Sequence, residues 1–119
     1  MAKHLITFGA DAMDGIPDED MPAVAEAAHA VCQELINAGV YFLAGGLEDQ
    51  SSSIVSADGS VTPGPRPDVF SSITVIDVPT REQALAWAAR VATACRCGQE
   101  VREIGFDPEL EAMLHEAGR

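Results

Sequence analysis

A chain of 119 residues with 47% hydrophobic content has the size of one domain and enough apolar side chains to fill a core without disulfides or a structural metal. Nineteen acidic residues against seven basic ones give a net charge of −12, which repels phosphate backbones and anionic lipid and argues against nucleic acid or a membrane surface as a partner. Three cysteines, an odd number, do not make a disulfide framework and fit a reducing compartment; with no apolar run of membrane-spanning length and no leader-like start, the expected location is cytoplasmic.

Lys3 to Phe8 reads as a strand, and the polar, glycine-containing stretch Gly9 to Pro17 as a loop. A helix is expected to begin at Asp18-Glu19-Asp20, whose carboxylates suit a helix N-terminus, with Pro22 tolerated in the first turn and Gly39 as a left-handed stop. Along it Val24, Ala28, Val31 and Leu35 recur at helical spacing and form one core-facing stripe. His29 lies one position off that stripe, about 100° around the helix, which predicts a half-buried shoulder shared with Glu26, Cys32, Gln33 and Ile36. Val40 to Leu47 reads as a second strand and Ser51 to Ala57 as a third, ending at the turn pair Asp58-Gly59, with Ser60 to Thr62 pairing back. Pro63, Pro65 and Pro67 are expected to exclude regular structure until the β-branched strand Phe70 to Val78. Thr80 and Gln83 form a capping-box pattern before a second helix with the stripe Ala84, Ala88, Val91 and Cys95. Gln99 to Ile104 reads as a final strand, and Asp107-Pro108 opens a short helix carrying Leu110, Met113 and Leu114 on one side.

The order β-α-β-β-α-β with a tail helix is the split βαβ of the ferredoxin-like plan: one α+β domain over 1–119, with a core to residue 105 and a C-terminal helix over 106–119. The strands carry apolar residues on both faces, Val40 and Phe42 alternating with Tyr41 and Leu43, and Ile73 and Val75 with Ile76 and Val78. Two helices cover one face, so a partner sheet in a homodimer is the expected cover for the other.

These residues, in their order and spacing, make the chain resemble the YCII-related family, in particular its DGPF-type branch. The likeness runs from Ile6 to Ile104. It rests on His29 followed by Gln33-Glu34-Leu35 and Ala38-Gly39-Val40 into Leu43-Ala44-Gly45-Gly46-Leu47, on Asp58-Gly59 with Gly64-Pro65 after it, and on Ile76-Asp77-Val78 leading to Glu82-Gln83-Ala84-Leu85-Ala86-Trp87-Ala88. The resemblance implies a dimeric α+β barrel, a cleft lined by His29, and His/Asp chemistry. Where the name motif has Asp-Gly-Pro-Phe, this chain has Pro63-Gly64-Pro65-Arg66, without the acid and the aromatic, and the segment that follows is shortened.

An imidazole beside a carboxylate titrates near neutral pH, so His29 is the candidate general acid or base; otherwise it is a helix histidine bonded to a backbone carbonyl at the sheet rim. An orienting carboxylate would come from Glu48 or Asp49 after the second strand or from Asp68 before the strand Phe70 to Val78. Gly45 and Gly46 leave room over their strand or mark a bulge, and with Ser72 they are the expected ligand contacts. They are no phosphate loop, since neither Gly-Lys-Ser/Thr nor Gly-x-Gly-x-x-Gly follows. Cys95 and Cys97 lack a second ligand pair, Cys32 lacks a basic neighbour to make it a nucleophile, and the acids from Asp11 to Asp20 lack the order of a calcium loop, so no metal and no cofactor is expected. Trp87 and Phe70 read as core aromatics. Three functions compete: a small lyase, isomerase or hydrolase using His29 on a small organic substrate, a non-catalytic dimer binding a small ligand or a protein, and a purely structural dimer.

Overall fold

The structure is a computed structural model and describes residues 2–47, 52–64 and 71–118. Glu48, Asp49, Ser51, Pro65, Arg66, Pro67, Asp68 and Phe70, named above, lie outside the described residues. The elements run in the order β1 (Ala2–Phe8), α1 (Met21–Asn37), β2 (Tyr41–Gly46), β3 (Ser53–Val55), β4 (Val61–Pro63), β5 (Ser72–Val78), α2 (Arg81–Cys95), β6 (Glu100–Glu103) and α3 (Pro108–Glu116). Four strands form an antiparallel sheet in the order β2-β5-β1-β6, and β3 and β4 pair separately as a hairpin. The fold is thus mixed α+β with a mainly antiparallel sheet.

Both long helices pack on one face of this sheet. Ile6, Leu35, Ile76, Val78, Ala84 and Ala88 form the core there, with Val31, Val40, Trp87 and Val101 against it. The even-numbered residues of β1 and β5 face the helices: Ile6 pairs with Thr74 and Phe8 with Ser72. On α1 the stripe behaves as its spacing predicts, with Val24 and Leu35 buried and Ala28 and Val31 half-buried, and on α2 all four stripe residues are buried. Each fully buried aliphatic side chain contributes about 1.5–3 kcal/mol over its exposed state.

Local chemistry sets the ends. Thr80 Oγ1 accepts from Gln83 N–H at 3.2 Å and Asp107 Oδ1 from Leu110 N–H at 3.1 Å, so both α2 and α3 start at side-chain caps. The Gln83 side chain does not return the bond, so the capping box is half made. Gly39 stops α1 with φ of +75°, a conformation without steric cost only for glycine. At the end of α2 the same left-handed position is held by Arg96, φ 57°, whose Nη1 donates to Asp20 Oδ2 at 2.8 Å.

Several expectations are corrected. Asp18, Glu19 and Asp20 form a separate 3-10 turn, and α1 starts after them without a side-chain cap, because Pro22 at its second position leaves fewer backbone donors to satisfy. Pro63 is the last residue of β4, opposite Ser53; in a two-stranded hairpin each strand has a free edge, which tolerates a missing donor. The irregularity in β2 lies between Tyr41 and Leu43 and not at Gly45-Gly46: Tyr41 pairs with Ile76, whereas Leu43 pairs with Val75, so Tyr41 and Leu43 are on opposite faces. Phe42 joins Leu43 on the face away from the helices, where Lys3 Nζ sits 5.1 Å from its ring centroid. Leu110, Met113 and Leu114 of α3 are all exposed.

Among the described residues the hairpin and α3 make no extensive contact with other elements. The Cα radius of gyration is 16.4 Å, against about 13.5 Å for a close-packed domain of this length.

Candidate functional site

A cleft of about 220 Å³ opens between α1 and the sheet. From α1 it takes Ala28, His29, Val31, Cys32 and Leu35; from β2, Ala44, Gly45 and Gly46; from β5, Ser72 and Thr74. Phe8 of β1 and Val91 and Cys95 of α2 complete the wall. Four residues singled out in the sequence, His29, Gly45, Gly46 and Ser72, therefore meet at one place although they come from three elements.

The reason is local at each position. His29 is one step off the buried stripe, so its ring lies at the mouth and is exposed, rather than half-buried as its position suggested. The shoulder around it is open too: Glu26, Gln33 and Ile36 are exposed, and Gln33 Nε2 donates to Asn37 Oδ1 at 3.0 Å. Cys32 follows His29 by three residues and turns inward on the same side of α1. Ala44 and Gly46 face the helices because they pair with Thr74 and Ser72. A Cβ built on Gly46 would meet no atom outside its neighbours closer than Ser71 O at 3.9 Å, so the missing side chain is space given to the cleft.

The polar groups are few. Ser72 Oγ donates to Gly45 O at a long 3.4 Å, a weak bond. Thr74 is only 8% exposed, lines the cleft and has no hydrogen bond from its hydroxyl to any described residue. Burial raises the Cys32 thiol above its ordinary pKa, and raises Cys95 chiefly by burial and further by the charges of Cys97 and Cys32. Both thiols are therefore protonated near neutral pH and are poor nucleophiles, as the lack of a basic neighbour in the sequence suggested for Cys32. Burial likewise raises Cys97, against the lowering effect of the Gln99 amide beside its sulfur.

No carboxylate and no lysine or arginine lines the cleft among the described residues. Asp49 and Asp68, the expected partners of His29, lie with Glu48 outside those residues. No group of three or more His, Cys, Asp or Glu side chains among the described residues is arranged to hold a metal ion, and no helix among them is long and apolar enough to cross a membrane.

No family model and no curated protein matches the chain. What the cleft can do follows from its own chemistry: an apolar chamber with two hydroxyls inside and one titratable ring at the door.

Sequence reasoning missed Thr74 and Phe8. Thr74 is two residues after Ser72 on a strand, so period two alone puts both on one face. It missed a second histidine as well. His4 is buried on the helix side of β1, with Nδ1 3.1 Å from Ala2 O, which assigns the ring proton to Nδ1, and Nε2 3.9 Å from Glu103 Oε1. It does not line the cleft.

Proposed function

We propose that the cleft is a small-molecule site in which His29 acts as general acid or base on an organic substrate, in a homodimeric, cytoplasmic protein of the YCII-related kind. The observation that carries this reading is the convergence of His29, Gly45, Gly46 and Ser72 on one cleft with an apolar wall. An exposed imidazole at the mouth can exchange protons with solvent between turnovers while the chamber holds the substrate dry, and such proton transfer is worth about 10²–10⁴ in rate. The reaction type is a lyase, isomerase or hydrolase step that moves one proton.

The order β2-β5-β1-β6, with the hairpin set apart, supports a ferredoxin-like reading of the sheet. The sheet face away from the helices supports the dimer: Leu5, Phe42, Leu43, Ile73 and Val75 lie there, edged by Lys3 and Arg102 and by Asp77 and Glu100, so that a second copy finds both signs of charge opposite its own. A second reading, a non-catalytic binding module, is favoured by one observation: no carboxylate among the described lining residues orients His29.

His29→Ala separates them. With an exposed ring and no bonded partner among the described residues, the substitution should change stability by no more than about 0.5 kcal/mol. In the catalytic reading turnover falls at least a hundredfold while ligand binding falls little; in the binding reading affinity falls and no turnover exists to lose. Marked destabilisation with binding intact removes the functional role of His29.

A further inference from the structure

The lining of the cleft says what class of molecule fits it. We infer that the cleft takes an uncharged, single-ring organic molecule carrying a hydroxyl or carbonyl oxygen, held with the ring against Phe8, Val31, Leu35 and Val91 and the oxygen on the hydroxyl of Thr74. The inference rests on the reading of the cleft as a small-molecule site and adds the substrate class and the residue that selects it.

Size comes first. An apolar cavity of about 150 Å³ holds benzene. A chamber of about 220 Å³ has room for one ring with a short substituent.

Charge comes next. A charged group drawn into an apolar chamber without a partner costs several kcal/mol, and among the described lining residues there is no lysine, arginine or carboxylate inside, His29 standing at the mouth. Both lining thiols are neutral, since burial raises their pKa. Arg96, which follows Cys95 at the end of α2, is turned to Asp20. The chain's net charge of −12 opposes an anion further.

Orientation comes last. Thr74 is more than nine-tenths buried and its hydroxyl has no partner among the described residues. Buried hydroxyls are nearly always bonded, and one that is left open onto a cavity is a place for a ligand's polar atom. Ser72, tied to Gly45 O, is the weaker second contact. A ring oxygen on Thr74 places the rest of the molecule under the mouth, where His29 stands.

The experiment is a titration of the full chain, followed by amide NMR shifts of Cys32, Ala44 and Gly46, with four probes of similar size: phenol, toluene, benzoate and benzylamine. Phenol should bind tightest and the two ions at least tenfold more weakly. Thr74→Val, which keeps a β-branched side chain in a strand, should cost phenol roughly fivefold and leave toluene unchanged, so that the phenol preference collapses. Gly46→Val fills the chamber without a close backbone contact and should abolish binding of all four. If benzoate or benzylamine binds as tightly as phenol, or if Thr74→Val leaves the phenol preference intact, the inference is overturned while the small-molecule site stands. If no probe shifts the cleft amides up to its solubility, both fall together.

Discussion

Thr74 is buried as a residue, but its unbonded hydroxyl is not sealed off from the cleft. Removing it should therefore cost the empty protein little: Thr74→Val should leave the melting temperature unchanged or raise it, and a drop would show that the hydroxyl is bonded. The thiols make a second point at this scale. Because Cys32 and Cys95 have raised pKa values in the folded chain, the neutral thiol contributes stability that is fully present below the ordinary value of 9.0 and lost as the pH climbs through the raised values. Melting temperature should therefore decline above pH 9, less so in Cys95→Ala, and alkylation of both thiols at pH 7.5 should be slower than that of free cysteine. His29 was legible from its single step off the apolar stripe; how exposed it is was not, because the rim around it depends on where the sheet ends. Gly46 was legible as missing bulk, but not as a contributor to a chamber, because that depends on the strand it pairs with.

The helices were legible from their stripes and one boundary signal each, Gly39 after α1, Thr80 before α2 and Asp107 before α3, although α1 begins three residues after the acids expected to open it. Arg96 was not, because nothing in an arginine announces a left-handed backbone; here its ion pair with Asp20, far away in sequence, helps hold the position. The strain of that backbone, about 1–2 kcal/mol, exceeds the worth of an exposed ion pair, so Arg96→Gly should preserve or raise the melting temperature. Leu35→Ala removes a side chain with no exposed surface at the heart of the core, and denaturant unfolding should read a loss of about 2–5 kcal/mol. The strands were found as segments, yet the hairpin Ser53–Val55 with Val61–Pro63 was not separable by pattern from the main sheet, since pairing partners are long-range and sequence alternation is local.

At the scale of the molecule, apolar surface is left over. Phe42 and Leu43 on the sheet, Ile54 and Val61 on the hairpin, and Phe106 and Met113 near the C-terminus are all exposed, and the radius of gyration exceeds that of a closed domain. The proposed homodimer through the sheet face would cover the first pair. Sedimentation at micromolar concentration should give about twice the chain mass, and Leu43→Glu, which places a carboxylate on that face, should give the monomer with its helices intact by circular dichroism; a wild-type monomer at that concentration would remove the dimer from the reading. That both strand faces are apolar was legible, and the need for a cover followed from it. For β5 the faces were legible as well, whereas in β2 they were not, because strict alternation fails there at one place.

That place is Phe42. One added residue in β2 reverses odd and even for everything after it, and the result is a sorting by volume: the aromatic and the leucine turn to the open face, while Ala44 and Gly46 turn to the helices. Had Gly46 kept its direction in an unbroken alternation, Phe42 would point beneath α1, toward the ground now left open. The hollow in this protein is thus the product of a counting change, made where an irregular pair in a ladder lets the chain skip a beat, and deleting Phe42 should leave the hollow standing while stripping the opposite face of its largest ring.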